Sequence, residues 1–148
     1  MTSKIALEAL IQVRDGRDFS SPKAILSRVT AEGACAQAEG CPYSLATYVE
    51  HCAFWQDIWL AKLRGEKGKS FIEDWRVPQP GEWHNVRKRF LRGLDEAIAI
   101  AEKTPFVHSM KDDDAACATL IQIAVHNAYH VGQFVFLKRM VKGLKADA

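Results

Sequence analysis

The sequence has no apolar run approaching the roughly 18 residues that a membrane span needs. No transmembrane anchor is therefore expected. Charge of one sign is lacking too. Twenty basic residues against 18 acidic ones leave a net charge of +2, which gives no electrostatic case for a nucleic-acid binder. Glu8 interrupts the only N-terminal stretch that could be the apolar core of a signal peptide, so no export signal is read and a cytoplasmic location is the default expectation. None of the four cysteines, Cys35, Cys41, Cys52 and Cys117, forms a C-x-x-C pair, and disulfides are not expected. Cys52 and Cys117 sit in apolar stretches, as small buried thiols do. No repeat or low-complexity tract is visible, and no segment alternates as a strand over more than about four residues.

What is present is helical periodicity in a 148-residue chain, enough for one domain with a real core, expected to span 1–148. Ile5, Ala6, Ala9, Leu10 and Val13 predict a first helix over about Ser3 to Arg14, stopped at Asp15-Gly16. Ser21-Pro22 reads as an N-cap with proline at the first helical position, opening a short helix to about Val29. Thr30 can cap a further single turn, and Gly33 to Pro42 reads as loop. Ser44 can cap a long helix from Leu45 to about Arg64, ended by Gly65, with its apolar residues on an arc of about 140°. The stretch from Gly65 to Gly81 has no clean period and reads as a long connection, the kind that often carries function, with Trp75 as its anchor. A third long helix follows to about Lys103, broken by Thr104-Pro105. Asp112, Asp113 and Asp114 suit the positive end of a last helix, from about Asp114 to Val141, which is apolar on nearly all sides. Such a helix is either central or covered by a partner subunit. The expectation is an all-α fold, a four-helix bundle with short extra helices.

The chemistry concentrates in H-N-A-Y-H. His126 and His130 are four residues apart, which is about 400° of rotation and a rise of roughly 6 Å. Both imidazoles leave one face and can converge on one ion. Asn127 stands where a zinc protease needs its general-base Glu, which disfavours that mechanism. On spacing alone two readings stay open: a metal pair, or imidazoles hydrogen-bonded to Asn127, Gln122, Gln133 or a carbonyl. His51, at the edge of the buried arc of the second long helix, is a third candidate ligand. Three protein ligands leave a position open for water or substrate, as catalytic sites do. His84 and His108 read as surface or loop residues. The run Arg87, Lys88, Arg89 and Arg92 reads as a solvated face, with an anion site for a substrate carboxylate as the alternative.

The order Tyr43-Ser44-Leu45, Glu50-His51, Trp55, Leu63-Arg64-Gly65, Asp74-Trp75, Trp83 and finally His126-Asn127-Ala128-Tyr129-His130-Val131-Gly132-Gln133 resembles the DinB/YfiT-like superfamily over most of the chain. The last block, close to H-x-x-Y-H-x-G-Q, is its most specific part. The resemblance implies a four-helix bundle with a long crossover, a homodimer, and a divalent metal, commonly zinc or nickel, on His51, His126 and His130. It also implies a choice of activities. Relatives of this kind include thiol-dependent transferases that use low-molecular-weight thiols, a maleylpyruvate isomerase and metal-dependent hydrolases. The enzyme reading is a metal-dependent transferase joining such a thiol to a small-molecule electrophile, with hydrolysis as its variant. The other reading is a non-enzymatic metal-binding or stress-response bundle. No residue is assigned as catalytic. Asn127 and Gln133 are candidates for orienting ligands, and Trp55 and Trp59 for lining a pocket.

Overall fold

The computed structural model describes residues 2–68 and 70–141, so the last residues of the expected 1–148 domain, and Lys69 in the crossover, lie outside the described residues. The described residues form α1 (Thr2–Asp15), α2 (Pro22–Leu26), α3 (Ala31–Cys35), α4 (Leu45–Arg64), α5 (Trp83–Glu102) and α6 (Asp113–Met140), with no strand among them. The crossover between α4 and α5 contains two 3₁₀ turns, Phe71–Glu73 and Pro80–Glu82. The four long helices make the bundle: α4 packs on α5 and α6, α1 packs on the same two, and α1 and α4 lie across the core from each other.

The helix boundaries follow from local chemistry. The hydroxyls of Ser21, Thr30 and Ser44 accept hydrogen bonds from the backbone N–H groups of Ala24, Gly33 and Thr47, satisfying donors that the first helical turn leaves open. Asp112 caps α6 by accepting from the Ala115 N–H at 2.7 Å. Gly65, at φ 73°, closes α4 in the left-handed conformation that glycine adopts without penalty. Trp83 donates its indole N–H to the Val29 carbonyl, pinning the α2–α3 segment against the start of α5.

One helix departs from the sequence expectation. The arc expected on α4 is too narrow, because Ala53, Phe54, Gln56 and Ile58 are buried as well. The reason is tertiary. α5 and α6 cover one side of α4, while α3 and the crossover cover the rest. α6, apolar on nearly all sides in sequence, is covered on only part of its circumference. Val125, Tyr129, Phe136 and Met140 stay exposed along one line.

A buried polar junction joins three of the long helices. The Gln56 side-chain amide donates to the Phe90 carbonyl at 3.0 Å, and the amide of Asn127 donates to Gln56 Oε1 at 2.9 Å. Gly93 leaves the space on α5 that the Gln56 amide fills, and a Cβ there would run into it. Gln56 and Asn127 are both fully buried, so the junction cannot move aside into solvent. Gly93→Ala is therefore expected to destabilise the fold by about 1–3 kcal/mol in urea unfolding, despite alanine's better helix propensity. A neutral or stabilising result would contradict this account of the junction.

Candidate metal centre

His51 projects from α4, and His126 and His130 from successive turns of α6, where the two helices pack together. Their ligand atoms all lie within 4.8 Å of one another. His126 Nε2 is 3.2 Å from His51 Nε2. His51 and His130 are each 6% exposed, while His126 is half-buried and reaches the surface.

The outer nitrogens decide what the inner ones can do. His51 Nδ1 lies 2.6 Å from Asp74 Oδ1, and His130 Nδ1 lies 2.6 Å from Gln133 Oε1. A carboxylate and an amide oxygen can only accept, so both Nδ1 atoms carry the proton. In a neutral imidazole the Nε2 atom then carries a free lone pair. A neutral His51 thus turns one lone pair toward His126, and His130 keeps its Nε2 free of the Gln133 contact. A hydrogen bond between His126 and His51 can satisfy the first of these, whereas a divalent cation would satisfy the whole set. The donor chemistry fits such an ion: imidazole nitrogens suit the late first-row divalent metals, and orienting partners behind ligand histidines are the usual arrangement. Burial, with the neighbouring His130 and His51 rings, pushes His126 down to about 4, and burial lowers His130 as well. Both rings are neutral near pH 7, the form that binds metal.

Asp74, on the crossover, is the residue whose role sequence spacing did not reveal. Besides His51, it accepts the Trp55 indole N–H at 2.7 Å and the Trp75 backbone N–H at 2.8 Å. Trp75 has φ 61°, a strained conformation for so bulky a residue. That backbone lays its indole on the His51 ring, with centroids 3.7 Å apart and planes 11° apart, and the other face stacks on Tyr43 at 4.4 Å. The crossover thus covers one face of His51 and orients its ring. Trp75 is the anchor expected from the sequence, and its target is a candidate ligand.

The other expectations divide. Gln133 Oε1 stands behind His130 Nδ1. Asn127 donates into the Gln56 junction, and its side chain also interacts with His126. Trp55 is tied to Asp74, while Trp59 lines a cleft with Gln122, Val125, His126 and Tyr129, about 350 Å³ in volume. His84 is exposed, and His108 packs at the start of α6 with Nε2 2.7 Å from Asp113. The basic run is only partly a solvated face. Arg87 donates to the Leu26 carbonyl and lies over the Trp83 ring. Arg89 holds the buried Glu50 carboxylate at 2.8 Å and Asp57 at 3.2 Å. Arg76 of the crossover lies 3.5 Å from the other Glu50 oxygen. Glu50, Arg76, Arg89, Asp74 and Trp75 line a second, charged cavity of about 590 Å³, and none of the three histidines is on its wall. All four cysteines are free.

A family profile of the DinB superfamily matches residues 23–134. The chain belongs to the DinB superfamily. That match takes in α4, the crossover, α5 and all three histidines, so the DinB bundle is the scaffold on which they meet. Comparisons with curated proteins and with solved structures return no match. Among the described residues, no helix is long and apolar enough to cross a membrane.

Asp74→Asn keeps the shape of the side chain but weakens the acceptor behind His51. It is expected to lower metal affinity about 10–100-fold with helical circular dichroism unchanged, read by competition with a chromophoric chelator. Wild-type affinity in that variant would remove Asp74 from any part in metal binding.

Proposed function

We propose that this DinB-superfamily protein binds one divalent ion, zinc or nickel, on His51, His126 and His130, and uses it to activate a low-molecular-weight thiol for transfer to a small electrophile. The observation that carries the reading is the pair of oriented imidazoles, His51 on Asp74 and His130 on Gln133, beside a cleft that reaches His126. Three protein ligands leave at least one coordination position for an exogenous group, which a closed structural site would not. When bound, the ion supplies the Lewis acidity that lowers the pKa of a thiol and keeps its thiolate available near neutral pH.

The chain's own residues set the frame for that chemistry. Asp74 and Gln133 keep Nδ1 of His51 and His130 protonated and their rings in place. Trp75 covers the His51 face and keeps water off that ring, and Trp59 meets His126 edge-on at 5.1 Å. In the transfer the thiol loses its proton, its sulfur bonds the electrophilic carbon, and the leaving group departs with the bonding electron pair. The walls beside His126 present an indole, an isopropyl group, a phenol and an amide. None is a base suited to neutral pH, so no residue is assigned as a general base, and the proton passes to solvent. A homodimer belongs to the same proposal: Phe136 and Met140, exposed on α6, offer an apolar face to a second copy.

Purified protein is expected to carry about one divalent ion per chain by elemental analysis. His126→Ala should lose it while keeping the helical circular dichroism. Low-molecular-weight thiols tested against a reactive model electrophile, with zinc and nickel restored in turn, should give conjugate only with metal present. Equal conjugation after chelation, or a metal-free His126-intact protein from a non-chelating purification, would overturn the proposal.

A further inference from the structure

Two of the cavities near the histidine layer differ in kind. The one beyond Asp74 and Trp75 carries carboxylates and guanidinium groups, with Glu50 paired to both Arg76 and Arg89. The one that reaches His126 has no charged wall residue: Trp59, Val125 and Tyr129 supply apolar and aromatic surface, and Gln122 supplies one neutral amide. Apart from any ion held on His126, a carboxylate entering there would give up water and meet no cationic side chain on the walls, and an ammonium would meet no anionic one, so burial would cost either of them affinity. The basic run on α5 does not help, because Arg87 and Arg89 are engaged with Leu26, Glu50 and Asp57.

The aromatic surface also has a direction. Trp59 lies against His126, Trp55 lies 5.7 Å from Trp59, and Phe71 stacks on Trp55 at 5.4 Å with planes 22° apart. Phe71 is 64% exposed, so a row of rings runs from the candidate ligand out to the surface. Such rings favour offset stacking or edge contacts with another ring. A cleft of about 350 Å³ falls at the small end of the range that ligand pockets occupy.

From this we infer that the electrophile taken beside His126 is a small, uncharged, planar aromatic molecule, recognised by Trp59, Val125 and Tyr129, and that these walls disfavour an anionic one. The inference rests on the thiol-transfer reading for the word electrophile, but the binding preference belongs to the cleft itself. Val125 is the residue to alter, because it is 64% exposed on α6 and a lysine there is tolerated by the helix.

Two probes of matched shape separate the cases: 4-nitrobenzyl alcohol and 4-nitrobenzoate. Their affinities are measured by equilibrium dialysis on the protein as purified and after chelation, which removes any pull of the ion on the carboxylate. The chelated wild type is expected to bind the alcohol at least about tenfold more tightly than the carboxylate, and Val125→Lys should cancel or reverse that ratio. Tyr129→Ala should weaken both probes without changing their order. Equal or tighter binding of the carboxylate to chelated wild type, an unchanged ratio in Val125→Lys, or binding of neither probe would overturn the inference. So would an affinity for the alcohol that falls as protein concentration rises, since a second copy would then be the occupant of this cleft. If the ratio holds and no thiol conjugate ever forms, the function reading fails and the cleft's preference stands. If conjugates form only with anionic electrophiles, the reverse is true.

Discussion

The 2.6 Å hydrogen bond between His51 Nδ1 and the Asp74 carboxylate joins the crossover to the bundle. It sets the tautomer of His51, and with it the direction of a lone pair. The same carboxylate holds the Trp55 indole and the Trp75 backbone, so one side chain organises α4 and the crossover together. Trp75 accepts a strained backbone to lie on His51. Strain of this sort persists only where the surroundings over-determine it, and here the stack between His51 and Tyr43 and the hydrogen bond to Asp74 do so. His130 is treated alike by Gln133, three residues further along α6. Two imidazoles of a three-imidazole group are thus prepared before any ligand arrives.

Around this layer the protein separates charge from apolar surface. Glu50, Arg76, Arg89 and Asp57 form a paired network on the side facing α5 and the crossover. Glu50 Oε2 is left without a hydrogen bond and relies on the guanidinium of Arg76 nearby. Burying a carboxylate in this way is tolerable only with cations close at hand. On the side facing solvent past His126 there are only neutral groups. The charged side secures the crossover, and the neutral side is the one that the proposal assigns to a ligand.

Much of this was legible in the sequence because much of it is local. Ser44, Gly65, Ser21 and Thr30 announce helix ends through caps that reach only three or four residues. His126 and His130 announce a common face through helical geometry alone. His51 joined them through its place at the edge of α4's buried arc and through the family signature, since no spacing links α4 to α6. The structure brings all three histidines into one group. The breadth of burial on α4 was not legible: a helix wrapped on every side carries little amphipathic signal. Asp74 was visible as part of a motif, but its partners lie 23 and 19 residues away, and a loop has no period to read. Asn127 had looked like a neighbour of the site because it shares the histidine face. It also serves the Gln56 junction, which depends on Gly93 of a third helix and which helical spacing could not show.

The central claim is that three imidazoles of this chain hold one ion. X-ray absorption at the metal K-edge of the as-purified protein tests it directly. The account predicts light-atom scatterers at about 2.0–2.1 Å with the outer-shell multiple scattering of three imidazole rings, and no sulfur ligand from Cys35, Cys41, Cys52 or Cys117. A first shell of cysteine sulfur, or one without imidazole scattering, would contradict it.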